Sequence, residues 1–214
     1  MTPERFQKIK DILNKRQPDL TVVLDNVHKP HNLAAIIRSC DAVGICDIHA
    51  ISSHEQKVGV NLKSAGGSNH WVNLHIHHSV LKVISDLKQS GFSIYAANGS
   101  EKAVDYRKVD YTKPTAIVLG AELDGISKET LYRVDGKIKI PMQGMVENLN
   151  VSVANAVILF EAQRQRLQAG LYEKCRLDPD IYEKLVFEFS YPEAAKVYQS
   201  KGETYPELDG EGQI

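Results

Sequence analysis

The stretch Thr115-Ala-Ile-Val-Leu-Gly-Ala-Glu-Leu-Asp-Gly-Ile-Ser127 decides how this chain folds. Residues 115–119 are an apolar run of the length and type that fills a buried strand. Gly120 follows at once and allows close backbone approach. Glu122 and Asp124 come next, and a helical pattern covers 128–133. Working outward, further strand-like runs cover 21–24, 47–51, 72–76, 93–97 and 137–140. Helical patterns lie between them at 33–43 and 79–89. A long one covers 151–168, and Gly170 is well placed to end it. This alternation predicts an α/β fold, a mostly parallel sheet flanked by helices. An amphipathic helix over 4–16 precedes the core, with Phe6, Ile9, Ile12 and Leu13 on one side, and Gln17-Pro-Asp19 breaks it. Another helical pattern covers 179–189, and the Gly/Pro/acid-rich end after it is expected to be loose. The resulting division is an N-terminal extension at 1–18, a core at 19–169 and a C-terminal extension at 170–214.

Of 214 residues, 43% are hydrophobic and 25% charged, with a formal net charge of -1. That balance excludes wholesale disorder. No run is apolar and long enough to span a membrane, and no apolar signal core opens the chain. Cys40, Cys46 and Cys175 are odd in number and lack Cys-x-x-Cys spacing, as expected of reduced thiols in a cytoplasm. The near-zero net charge hides a gradient. Residues 1–18 sum to +3, residues 19–160 balance, and residues 161–214 sum to -4. Basic patches therefore sit at both edges of a neutral core. They suit phosphate contact, or are solvated helix faces.

The fold class suggests a nucleotide cofactor, yet no Gly-x-Gly-x-x-Gly follows the first strand and no Gly-Lys-Ser/Thr phosphate loop occurs. The small-residue stretch at 64–70 precedes a strand and reads as a tight loop. His70, His75, His77 and His78 lack nearby carboxylates or thiols in sequence, so they read as surface or edge-strand residues and not as a metal site. No Gly-x-Ser-x-Gly elbow supports a serine hydrolase.

Besides the loop at Glu122, two segments hold more polar groups than a plain core needs. In His28-Lys-Pro-His-Asn-Leu-Ala-Ala-Ile-Ile-Arg-Ser-Cys-Asp-Ala-Val-Gly44, Asn32 is placed as a helix N-cap. Leu33, Ile36, Ile37 and Cys40 form the buried stripe. Arg38 lies off it, either as a solvated arginine or at the strand edge where such sheets bind ligands. His28, Lys29 and His31 precede the helix and make an anion site there. In Ile140-Pro-Met-Gln-Gly-Met-Val-Glu-Asn-Leu-Asn-Val-Ser-Val-Ala154, Asn148, Asn150 and Ser152 surround a helix start. That is more polar side chains than one cap requires.

Together, in this order, the three segments resemble the three motifs of the SpoU branch of the SPOUT (trefoil-knot) methyltransferases. Arg16-Gln-Pro-Asp-Leu-Thr-Val22, Phe160-Glu-Ala-Gln-Arg-Gln-Arg166 and Ala169-Gly-Leu-Tyr172 resemble the tRNA guanosine-18 2′-O-methyltransferases of that branch. The resemblance implies a deep C-terminal trefoil knot, one of the rare exceptions to unknotted topology. It implies S-adenosylmethionine held in a bent form against Ala97, Leu119, Gly120, Ala121, Glu122, Ile140, Met142, Leu149 and Ser152. It implies a homodimer whose active sites draw on both chains, with no metal and no membrane. Arg38, Asn32, Glu122, Asn150 and Ser152 are the expected catalytic set. Arg38 would stabilise the attacking ribose oxygen, Asn32 would orient Arg38 or a phosphate, and the others would shape the pocket. The tRNA is expected to meet Arg5, Lys8, Lys10, Arg16, His31, Lys88, Arg164, Arg166 and Lys174. Asn148 stands where the third motif usually begins with serine, and Ala97 where some relatives carry threonine. The competing readings are the same chemistry on ribosomal RNA or a tRNA anticodon loop, and a non-catalytic RNA-binding module of the same fold.

Overall fold

A computed structural model describes residues 1–51, 71–121 and 124–214. His70, Glu122 and the small-residue stretch at 64–70 lie outside the described residues. The chain divides into two compact units, Pro18–Ala169 and a second made of Met1–Gln17 together with Gly170–Ile214.

In the first unit the order is β1 (Leu20–Asp25), α2 (Pro30–Ala42), β2 (Asp47–Ile51), β3 (Asn73–His77), α3 (Val80–Gln89) and β4 (Ser93–Ala97). It continues with β5 (Val104–Asp105), β6 (Thr115–Gly120), α4 (Lys128–Arg133), β7 (Gly136–Lys139) and α5 (Val151–Gln168). Among the described residues the sheet has seven strands in the order β3-β2-β1-β6-β4-β7-β5. Each of its pairings is parallel. The expected fold class holds.

Strands β1 and β6 form the centre and are buried along their length, with only Gly120 partly exposed, because both their faces are covered. Alternate residues serve opposite layers. Val22, Leu24, Ile117 and Leu119 join Ile36, Ile37, Ile158 and Leu159 from α2 and α5. Val23, Ala116 and Val118 join Val83, Ile84 and Ile126 on the side of α3. The chain runs outward from β1 through β2 to β3, then returns past β1 to β4 and later inserts β6 between them. The strand order reverses between β1 and β6, so a crevice belongs at their carboxyl ends.

Helix α2 begins earlier than its sequence suggests. Pro30 opens it, with Lys29 as an N-cap that offers no side-chain bond. Proline's fixed φ suits that first position. Asn32 is therefore not the cap but the third helical residue, and it is buried. Strand β5 has only two residues, too few for any periodicity to reveal. Gly170 follows α5 at φ 71°, as expected of a helix end.

The second unit contains α1 (Pro3–Leu13), α6 (Pro179–Ser190) and α7 (Pro192–Lys201). Phe6, Ile9 and Leu13 are buried on α1, and Val186, Phe187 and Phe189 on α6. The end after 189 is not loose. Pro192 starts α7, and Tyr205 stacks on Phe187 with ring centres 4.5 Å apart. The Tyr191 hydroxyl donates to the Gly212 carbonyl at 2.8 Å. Acid and glycine content hid the aromatic residues that fasten this segment. Among the described residues no helix is long and apolar enough to cross a membrane.

Candidate active site

A cleft of about 420 Å³ opens at the carboxyl ends of β4, β6 and β7. Ala97, Asn98 and Gly99 leave β4, and Leu119, Gly120 and Ala121 leave β6. Ile138, Lys139 and Ile140 leave β7, with Met142 beyond them. Glu147, Asn148 and Leu149 lead into α5, whose Val151, Ala154 and Ile158 complete the wall. Of the residues expected to hold the cofactor, Ala97, Leu119, Gly120, Ala121, Ile140, Met142 and Leu149 all line this cleft. Ser152 does not line it, and Glu122 lies outside the described residues.

Beyond β6, Ala121 and Gly125 lie close together. Gly125 donates its N–H to the Ala121 carbonyl at 2.9 Å and sits at φ 65°. A Cβ on Gly120 would meet the Gly125 carbonyl carbon at 2.2 Å. Only glycine fits there, so backbone atoms and not a side chain face the cleft.

Asn150 caps α5 by accepting the Ser152 N–H at 2.9 Å and the Ser152 hydroxyl at 2.6 Å. Its amide donates to Asn32 Oδ1 at 3.2 Å. One residue thus starts the helix and reaches across to α2, which explains why this segment carries more polar groups than a cap needs. Beside the cleft, Asn26, Val27, His28, Lys29 and Asn32 line a smaller recess of about 50 Å³. Ala121, Asp124 and Val151 line both hollows. Arg38 is exposed on α2 and lines neither.

The expected RNA contacts divide. Arg5, Lys8, His31 and Lys174 are exposed. Lys10 lies over the Phe6 ring, 5.3 Å from its centre. Lys88 is exposed but bonds Asp135 at 2.6 Å, and Arg164 is held by Glu161 and Gln168. Two residues are corrected. Arg166 is fully buried. It donates to Asp19 Oδ1 at 2.6 Å and to the carbonyls of Tyr111, Lys113 and Asp19. Arg16 is also buried, its guanidinium 5.9 Å from the centre of the Phe189 ring. Sequence shows a cation on a helix without showing which face is covered, so both looked like surface charge.

The histidines gather where sequence gave half the picture. His49 on β2 lies 3.0 Å from His77 on β3, and His75 bonds Asp47 at 2.7 Å. Burial, then the neighbouring His75 and His77, push the His49 imidazole down to about 4. Among the described residues no group of His, Cys, Asp and Glu is placed to hold a metal ion. Sequence reading passed over His49, Asn98 and Gly99. The signal for the last two was an Asn-Gly turn straight after a strand.

Comparison with known proteins places these features. The SpoU rRNA methylase family model matches residues 19–160, and the model for the C-terminal part of SpoU rRNA methylases matches residues 164–214. A tRNA (guanosine(18)-2′-O)-methyltransferase of Thermus thermophilus is 55% identical over 185 residues, covering 86% of this chain and 95% of the relative. The one of Escherichia coli K12 is 46% identical over 216 residues, covering 100% of this chain and 94% of its own. Among solved structures, the Aquifex aeolicus TrmH/SpoU tRNA modifying enzyme is 40% identical with a TM-score of 0.82, over 88% of this chain and 96% of that one. An AdoMet-bound rRNA methyltransferase from Sinorhizobium meliloti is 28% identical with a TM-score of 0.63, over 73% and 59%.

Proposed function

The chain belongs to the SpoU methylase family, and from that premise we propose that it transfers a methyl group from S-adenosylmethionine to the ribose 2′-hydroxyl of guanosine-18 in the D-loop of tRNA. The supporting observation is the cleft itself, built from motif segments at one end of the sheet. Its volume and its mix of Leu119, Ile140 and Leu149 with exposed backbone at Gly120 suit a nucleoside with a charged tail. The family's relatives with the same guanosine-18 activity match nearly end to end. With the family comes the expectation of a deep trefoil knot in the C-terminal part of the sheet. The workplace is the cytoplasm.

S-adenosylmethionine supplies a methyl already activated as a sulfonium, so the transfer needs no metal. What remains for the protein is alignment and charge stabilisation. Gly120 and the loop closed at Gly125 fix the cleft wall. Asn150 sets the start of α5, and through Asn32 fixes α2 beside it. Arg38 carries a guanidinium that stabilises negative charge growing on the 2′-oxygen, as the O–CH3 bond forms and the S–CH3 bond breaks. A guanidinium offers donors and no acceptor, so the hydroxyl proton leaves to an RNA phosphate or to water. Ser152 acts in this reading through Asn150, which holds its N–H and its hydroxyl, and Glu122 is assigned to the pocket by the motif resemblance alone.

Arg38 is exposed and lines neither hollow of its own chain, which supports a homodimer in which each chain completes its partner's site. Helix α5 supports the same reading. Val153, Phe160 and Leu167 are 47%, 50% and 55% exposed at seven-residue spacing. That stripe has the spacing of a helix that packs against another. The tRNA backbone meets Arg5, Lys8, Lys10, His31, Lys88, Arg164 and Lys174. Calorimetry with S-adenosylmethionine, followed by transfer to tRNA, tests the proposal. Cofactor binding without transfer to any RNA would leave a non-catalytic module.

A further inference from the structure

Asp25 is the last residue of β1 and is 1% exposed. It lies in register with Gly120 on β6, at the mouth of the crevice. Its two carboxylate oxygens serve different walls. Oδ2 accepts the Ser127 N–H at 2.9 Å, the Ser127 hydroxyl at 2.8 Å and the Thr130 hydroxyl at 2.8 Å. Ser127 directly follows Ile126, which lines the cofactor cleft. Oδ1 accepts the Asn26 amide at 3.0 Å. Asn26 sits at φ 58°, an unusual conformation for a residue other than glycine, and it opens the recess of His28, Lys29 and Asn32.

We infer that Asp25 is a positioning residue that sets the cofactor-side wall at Ser127 against the wall of the recess at Asn26, which with His28 and Lys29 is taken as the RNA side of the active site. The inference rests on the reading of the cleft as a methyl-transfer site. A buried carboxylate is costly unless its lone pairs are filled, and here donors from both walls fill them. Only a group with two acceptor oxygens can do this. An asparagine at 25 offers one acceptor, which the three donors of Ser127 and Thr130 claim. Its NH2 then meets the NH2 of Asn26, and the RNA-side wall loses its anchor.

The test is steady-state kinetics and calorimetry on the full chain with S-adenosylmethionine and unmodified tRNA. Asp25→Asn is expected to raise KM for tRNA about tenfold, the loss typical of a hydrogen bond to a charged group, and to weaken S-adenosylmethionine only a few fold. Asn26→Gly keeps the backbone conformation and removes one donor, so KM for tRNA rises while cofactor affinity holds. Thr130→Val removes a donor on the other side, so cofactor affinity falls while KM for tRNA holds. Equal loss of stability in all three, with both constants unchanged or moving together, would make Asp25 a fold brace only and overturn the inference. The unaltered chain is the control. If it neither binds the cofactor nor methylates tRNA, the proposed function fails first and this inference goes with it. If it does both, the inference stands or falls on the split.

Discussion

The Asn150 side-chain amide donates to Asn32 Oδ1 at 3.2 Å, joining the N-cap of α5 to the first turn of α2 across 118 residues of chain. The same Asn150 holds the cap of α5. Replacing it with serine keeps a capping oxygen and removes the bridge. Asn150→Ser should hold thermal stability to within about 0.5 kcal/mol while cutting transfer at least tenfold. Asn150→Ala should lose the same activity and, in addition, about 1 kcal/mol of stability. Paired melts and rate assays separate the two roles.

Arg38 is exposed on α2 and lines neither hollow of its own chain. Arg38→Ala should abolish transfer while S-adenosylmethionine affinity stays within a few fold. Mixing it with a cleft-damaged variant tests the shared site. Each mixed dimer should regain one working site, so the mixture recovers roughly a quarter of native activity. Near-normal turnover by Arg38→Ala alone would remove the residue from the chemistry.

Gly120→Ala is the cleft-damaged partner. Its Cβ would meet the backbone of Gly125 and Ile126 at 2.2 to 2.4 Å, so the loop must move. We expect loss of calorimetric S-adenosylmethionine binding and about 2 kcal/mol of destabilisation.

Arg166 and Lys174 should behave oppositely, although both are cations at the end of or after α5. Arg166 is buried against Asp19. Arg166→Ala removes a fully buried guanidinium and its bonds to Asp19 Oδ1 and three carbonyls, and about 3 kcal/mol of stability should go. Lys174→Ala, Arg5→Ala and Lys8→Ala should leave stability unchanged. Each should lower the slope of log affinity for tRNA against log salt by about 1.

The histidine cluster sets an acid limit. His49 in the folded protein titrates at about 4, against an ordinary 6.5, because burial and two histidines disfavour its charge. Between those values the unfolded chain binds a proton that the folded chain refuses. Stability should therefore be full above pH 6.5, fall as pH drops toward 4, and level off below. Denaturant titrations across that range should show the fall, and His49→Gln should flatten it.

Much of this was legible in sequence, for reasons that particular residues show. β2, β4, α4 and α5 lie where the sequence pattern put them. Seven residues that the family resemblance assigns to the cofactor line one cleft, and it was the resemblance, not periodicity, that singled them out. Arg166 and Arg16 were misread because burial of a cation depends on partners far away in sequence. Asp19 and the Lys113 carbonyl lie 147 and 53 residues from Arg166. Asp25 escaped notice for the same reason, since Thr130 is 105 residues away.

The central claim is that this cleft methylates tRNA at guanosine-18. The direct measurement is transfer of a labelled methyl group from S-adenosylmethionine to unmodified tRNA transcripts, with the product digested and mapped by mass spectrometry. The account predicts a single 2′-O-methyl mark on the D-loop guanosine, lost with Arg38→Ala. A mark at another position, or on ribosomal RNA alone, would contradict the substrate, and no transfer to any RNA would contradict the activity.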